Sequence, residues 1–308
     1  MRDFLRWSAL QECATPDPFD GVARIWSESH VSEDFQISLR LQSLGWTLRW
    51  ATYSNNGFEE GVSLTHGDEL ARWQKYAWGC SEIIFNPIRY WPTRGPLSKL
   101  FRTFLWSNIP PHAKFGIMAY IFSYYAISLA CTGSIYNYVL VGMFALSDTF
   151  YCSSWNVLFV CLILFQGVTN VVLCVLRYRL SLENAGAKAL EQIKWIPFFM
   201  LFFGGLSLPV TQSLLSHLLS INMSWTTTAK SVVKSNFFLQ VPRIWKRFWF
   251  QIVVSVIIMA GMIVTTTAVV PVQYRVTSIE AIVPLSMTYG FHLLWPFVLD
   301  TDITTFTF

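Results

Sequence analysis

Five stretches of the chain contain no Asp, Glu, Lys or Arg: Phe115 to Ser147, Thr149 to Leu176, Trp195 to Ala229, Phe248 to Tyr274 and Ala281 to Leu299. The core of a bilayer offers no water to backbone N–H and C=O groups, so runs of this kind are confined to helices, and about 20 apolar residues suffice to cross. The first two and the last two each fit one helix, with crossings expected near 117–145, 155–176, 249–271 and 282–299. The middle run is interrupted by Gly204, Gly205 and Pro209 and is polar from Thr211 to His217, which suits a re-entrant or interfacial segment within 177–247. A composition of 53% hydrophobic against 13% charged residues excludes an ordinary soluble domain.

Loops rich in Lys and Arg stay on the cytoplasmic side. With four crossings, residues 1–114 and 177–247 lie inside, and 21 of the 22 Lys and Arg fall there, leaving Arg275 outside. The chain is thus expected to be a multi-pass integral membrane protein with its polar region cytosolic, in the plasma membrane or the Golgi. The sequon Asn222-Met223-Ser224 should then stay unmodified. The basic loops are explained by topology, and no basic stripe with interleaved aromatics points to nucleic acid. Six cysteines without CxxC spacing, and no His at ligand spacing, indicate neither a disulfide framework nor a zinc site.

Residues 1–112 are more polar and are expected to form a cytosolic domain, with 113–308 as the membrane domain. At its end, Leu97, Leu100, Phe101, Phe104 and Leu105 recur at helical spacing, predicting an amphipathic interfacial helix over 97–107. Upstream, Ser32 is placed to cap a helix with Glu33 and Asp34 in its first turn, Ile37, Leu41 and Leu44 along one stripe, and Gly45 as a left-handed stop. The positive helix end favours the carboxylate form of Asp34, which keeps it able to accept a proton. Trp46 to Ala51 alternates as a half-buried strand should. Thr65 and Asp68 have the spacing of a capping box for a helix through Trp78, with Gly79 at its end, and this helix carries Arg72 and Trp73 side by side. A guanidinium fork matches a diphosphate, and an indole face accepts a sugar ring.

In their order, these motifs resemble the processive, inverting family-two glycosyltransferases, the group of cellulose, chitin and hyaluronan synthases, and more closely its fungal membrane-bound members. Ser32-Glu33-Asp34 is similar to the family's Thr-Glu-Asp, which implies that Asp34 is the catalytic base beside Glu33. Glu69 to Trp73 matches Gln-x-x-Arg-Trp with Glu in the place of Gln, which implies diphosphate contact by Arg72 and an acceptor site at Trp73. Trp225 to Lys230 resembles the gating loop of cellulose synthases, which implies that Thr228 and Lys230 reach toward the nucleotide.

The fold implied is the carboxyl half of an α/β, A-type glycosyltransferase domain followed by a helical membrane domain of about four crossings with interfacial helices. The complete enzyme would use a UDP-sugar donor, a polysaccharide acceptor and Mg or Mn. Family members carry the uridine-binding Asp and the metal-holding Asp-x-Asp in a preceding half-domain. Neither Asp3 nor Asp17-Pro18-Phe19-Asp20 supplies that motif. The chain is therefore expected to bind no metal itself, to be inactive alone and to be partly disordered over residues 1–30. A non-catalytic membrane protein, either a transporter component or a scaffold subunit of a synthase, is the alternative.

Overall fold

A computed structural model describes residues 5–16, 21–26, 30–49, 63–144, 160–181, 185–225 and 237–299. Helices dominate them. In chain order they are α1 (Trp7–Cys13), α2 (Glu33–Ser43), α3 (His66–Ile84), the short α4 (Trp91–Arg94), α5 (Lys99–Trp106), α6 (Pro111–Met143), α7 (Thr169–Ser181), α8 (Ala185–Gly204), α9 (Ser207–Leu218), α10 (Phe237–Thr266) and α11 (Ile279–Val298). Two strands are seen among the described residues, β1 (Thr15–Pro16) and β2 (Ala23–Arg24), paired antiparallel. The expected α/β character is thus absent from the described residues. Trp46–Arg49 is irregular rather than a strand. It has no ladder partner there, and the Trp46 amide is used instead to close α2.

The chain divides into two compact units, Met1–Ala126 with Val210–Ser231, and Ile127–Pro209 with Val232–Phe308. In the first, α1 and α2 bury Ala9, Leu10, Cys13, Ile37 and Leu41 against one another, so the described part of the stretch expected to be disordered is ordered onto α2. Helix α2 ends as its sequence predicts. Gly45 takes φ +94°, its N–H donates to Gln42 O and that of Trp46 to Leu41 O, the paired bonds of a Schellman cap. Leu44, expected on the apolar stripe, is instead 53% exposed, because the stripe rotates onto Gln36, Ile37, Leu39 and Leu41.

Helix α3 departs most from expectation. Thr65 Oγ1 accepts from the Asp68 amide at 3.1 Å, as the capping box predicts, but the helix runs past Gly79 to Ile84. Gly79 is an interior residue where α2's leading turn comes close. A Cβ there would lie 1.8 Å from Ser32 Oγ and 2.6 Å from Ser32 Cβ. The glycine serves close approach rather than termination. The same loop is tied one turn further along α3, where Glu82 Oε2 accepts the Val31 amide at 2.8 Å and faces His30 Nδ1 at 3.5 Å.

Ser98 caps α5 through the Phe101 amide at 3.0 Å, and Phe101 and Phe104 are buried within the first unit, where α5 packs on α2 and α3. The amphipathic pattern over 97–107 therefore covers protein with its phenylalanines, while Trp106 stays 88% exposed. Lys114 Nζ donates to Leu105 O and Ser107 O at the carboxyl end of α5, a site that favours a cation.

The second unit solves a problem posed by proline. Pro284 and Pro296 lie inside α11 and have no N–H to donate four residues back, which orphans the carbonyls of Glu280 and His292. Asn137 of α6 donates to Glu280 O at 3.1 Å, and Gln251 of α10 donates to His292 O at 2.8 Å. Each orphan receives an amide from a neighbouring helix, as an apolar surrounding demands. Between α8 and α9 the helix breaks at Gly205-Leu206. There His292 Nε2 accepts from Ser207 Oγ at 2.8 Å and from the Leu208 amide at 3.3 Å, capping α9 from another helix. Gly204 and Gly205 admit the rings of Phe291 and Trp295, whose nearest atoms would lie 2.2 and 2.1 Å from added Cβ atoms.

Four helices are long and apolar enough to cross a membrane: Pro111–Met143, Ala189–Leu218, Val241–Thr266 and Ile279–Val298. Three overlap the stretches 117–145, 249–271 and 282–299. The fourth falls on the middle run, assigned from sequence to an interfacial segment. Its glycines admit aromatic rings from α11, so the break between α8 and α9 is packed over. The crossing expected at 155–176 lies partly outside the described residues, and its described part is a π-helical Leu162–Val168 leading into α7.

Gly79→Ala should destabilise the protein by about 1–3 kcal/mol through overpacking, and adding Ser32→Gly should restore most of it, since the nearest remaining Ser32 atom would be 3.3 Å away. Thermal unfolding in detergent measures both variants, and failure of the double variant to recover would remove the contact from the account. Gln251→Leu, which leaves the His292 carbonyl unpaired, should cost about 1 kcal/mol by the same assay.

Candidate functional site

The acidic pair opens α2. Ser32 occupies the cap position, but its side chain makes no capping bond; its hydroxyl lies over Gly79 instead. Glu33 is half-buried and Asp34 exposed, and both stand in the first turn, at the positive end of the helix dipole. Asp34 is thus accessible to a large acceptor and held on a rigid element.

The Arg-Trp pair sits on the second turn of α3. Glu69 Oε1 accepts from Trp73 Nε1 at 3.1 Å, and Glu69 Oε2 lies 3.6 Å from Arg72 Nη1. The two donors face different oxygens, and Glu supplies both acceptors where Gln would supply one. The Arg72 guanidinium also stands over the Tyr76 ring at 5.7 Å, and its Nε is buried without a hydrogen-bond partner. An ion pair this exposed contributes a few tenths of a kcal/mol. Its consequence is orientation.

An unbroken line of aromatic rings joins the two motifs. Phe35, next to Asp34, meets Tyr120 edge to face at 5.6 Å; Tyr120 meets Tyr124 at 5.6 Å with their hydroxyls 3.1 Å apart; Tyr124 meets Trp73 at 5.8 Å. Sequence reasoning missed both tyrosines, although their spacing of four along α6 places them on one helical face. Beside this line, Tyr125 OH donates to Ser81 Oγ at 2.9 Å, Ser81 Oγ bonds His217 Nδ1 at 2.8 Å, and Ser213 Oγ donates to Gln74 O at 2.6 Å, so α9 is fastened along α3. Trp78 packs edge-on to His217 and to Trp225, at 5.5 and 5.8 Å. Thr228 and Lys230 lie outside the described residues.

Burial pushes the Cys80 thiol up to about 12, so this cysteine is an inert packing group at neutral pH rather than a nucleophile. Among the described residues no group of three His, Cys, Asp or Glu side chains could hold a metal ion.

An exposed carboxylate at a helix start, a guanidinium oriented by a neighbouring acid and a run of aromatic faces between them can accept a proton, hold an anionic leaving group and support a sugar ring. No curated protein and no solved structure matches the chain at a significant level. The model of Glycosyl transferase family group 2 matches residues 4–297. The chain therefore belongs to glycosyl transferase family group 2, and four helices long and apolar enough to cross a bilayer make it a membrane-type glycosyltransferase.

Proposed function

We propose that the chain supplies the acceptor side of an inverting transfer from a UDP-sugar to a growing polysaccharide. Asp34 takes the proton from the acceptor hydroxyl as that oxygen bonds to the anomeric carbon and the bond from that carbon to the diphosphate oxygen breaks. The configuration inverts and UDP leaves with the bonding electrons. Arg72 offers its fork to the departing diphosphate. Trp73, tied through the buried Tyr124 to Tyr120 and Phe35, supports the acceptor ring. Thr228 and Lys230 are assigned to the nucleotide, and Glu33 to the setting of Asp34.

A divalent cation, Mg or Mn, would neutralise the diphosphate, and its ligands are assigned to none of the described residues. Residues 1–114 and the segment bearing Lys230 are assigned to the cytosol, where most of the Lys and Arg lie. The product would pass through the membrane helices. The observation that carries this reading is the aromatic line from Phe35 to Trp73, which ties the base-bearing helix to the helix that orients Arg72.

In membranes containing the full-length enzyme, Asp34→Asn should lower sugar transfer by about 10²–10⁴-fold with unchanged expression, and normal turnover would remove Asp34 from the mechanism. Glu69→Ala should lower kcat/KM by about 10-fold, or about 1.4 kcal/mol, whereas Glu69→Gln, which keeps the Trp73 bond, should lose less. Radiolabelled polymer formation across a donor titration separates the two, and identical losses would argue against orientation by the shared acid.

A further inference from the structure

A cavity of about 750 Å³ lies within the first unit, and none of the motif residues lines it. On α2 its walls are Gln36, Arg40, Ser43 and Leu44, and on α3 they are Trp78 and Glu82. At about 100° per residue, Gln36 and Ser43 sit about 160–180° around α2 from Asp34 and Arg40 about 120° from it, so these wall residues face away from Asp34. Its volume falls in the range that holds a small ligand.

The lining has an unbalanced charge. Two acids, Glu12 and Glu82, are already engaged: Glu12 Oε2 accepts from Trp46 Nε1 at 2.9 Å, and Glu82 takes the Val31 amide and faces His30. Three cations line the same space, Arg40 from α2, Arg89 from the turn before α4 and Lys99 from the start of α5. None of them is ion-paired to a carboxylate among the described residues. Arg40 makes one long bond, 3.5 Å to Cys13 O, and Arg89 stands over the Tyr90 ring.

Ser220 is an independent sign of a ligand. It closes α9 at φ +60°, donating its N–H to His217 O while Ile221 N–H donates to Ser216 O. This is the left-handed position of a Schellman cap, where glycine avoids the strain that a side chain brings. The serine hydroxyl nevertheless lines the cavity, buried and without a hydrogen-bond partner. A hydroxyl on the cavity wall with no protein partner is free to bond a group placed there.

We propose that this cavity is a second binding site, separate from the reaction centre, for a phosphate-bearing anion held by Arg40, Arg89 and Lys99 with Ser220 donating a hydroxyl. Three cations from three elements match a multiply charged group better than a single carboxylate, and guanidinium forks each take two oxygens. The phosphate can come from a soluble anion or from the headgroup of an anionic lipid, since α5 directly precedes the membrane-length helix α6. The bound anion bridges α2, α5 and α9, so it stabilises the unit that carries both motifs.

The test uses the full chain in phosphatidylcholine nanodiscs, with thermal unfolding followed on adding sodium pyrophosphate or sodium chloride at matched ionic strength, and again in discs containing phosphatidylglycerol. A soluble-phosphate site predicts an upward shift with pyrophosphate that survives in Arg72→Ala and is lost in Arg89→Gln/Lys99→Gln. A headgroup site predicts that shift only with phosphatidylglycerol, again lost in the double variant. Both residues are exposed and outside the core, so the double variant should fold, and its midpoint in plain phosphatidylcholine checks this. Equal responses of the wild-type and double-variant proteins to every anion, or no response in either, overturn the proposal.

Discussion

The contact between Ser32 and Gly79 is the constraint on which the arrangement of the motifs depends. Two helices can share one site only if their backbones come near enough for side chains on both to reach the same ligand. Here the start of α2 lies against the middle of α3 because residue 79 has no Cβ. Glu82 then holds the incoming loop through the Val31 amide, and α5 covers the other side with Phe101 and Phe104. The absence of one methyl group thus sets the position of an acidic pair that lies forty-five residues or more before it in the chain.

The membrane-type unit follows a different rule. Its helices contain prolines and glycines that would weaken them in water, and in an apolar surrounding each liberated carbonyl or amide must find a partner. For α11 and the start of α9, Asn137, Gln251 and His292 provide them, each by bonding to a helix other than its own. These polar side chains are therefore structural, and they make the packing specific where apolar contacts alone would permit sliding. The glycines at 204 and 205 act in the same sense as Gly79: each admits a large ring against the backbone.

The polar unit carries its motifs and its cavity on different parts of the same two helices. One part of α2 and α3 carries Asp34, Arg72 and Trp73 with the aromatic line through Tyr120 and Tyr124. Another walls the cavity with Arg40, Trp78 and Glu82. A helix positioned by such close packing transmits displacement of one face to the other, because a packed interior has little free volume to absorb it. Glu69 contributes the finest adjustment, orienting an arginine and a tryptophan with one carboxylate.

Much of this was legible in the chain. The charge-free runs announced membrane-length helices, Thr65 with Asp68 marked the start of α3, Gly45 marked the end of α2, and the acidic and Arg-Trp motifs pointed to the family that the comparison then showed. These are local properties, decided by residues within a turn or two of one another or by summed hydropathy. Gly79 read as a helix stop, Trp46–Arg49 as a strand and Leu44 as core, and each proved otherwise. Only the tertiary structure could decide them, since a glycine's use depends on what approaches it, a strand on whether a partner lies alongside, and a burial stripe on the direction from which neighbours arrive. The sequence by itself therefore determined the helices and the class of chemistry. The structure decided which faces meet, because that is settled by contacts between residues far apart in the chain.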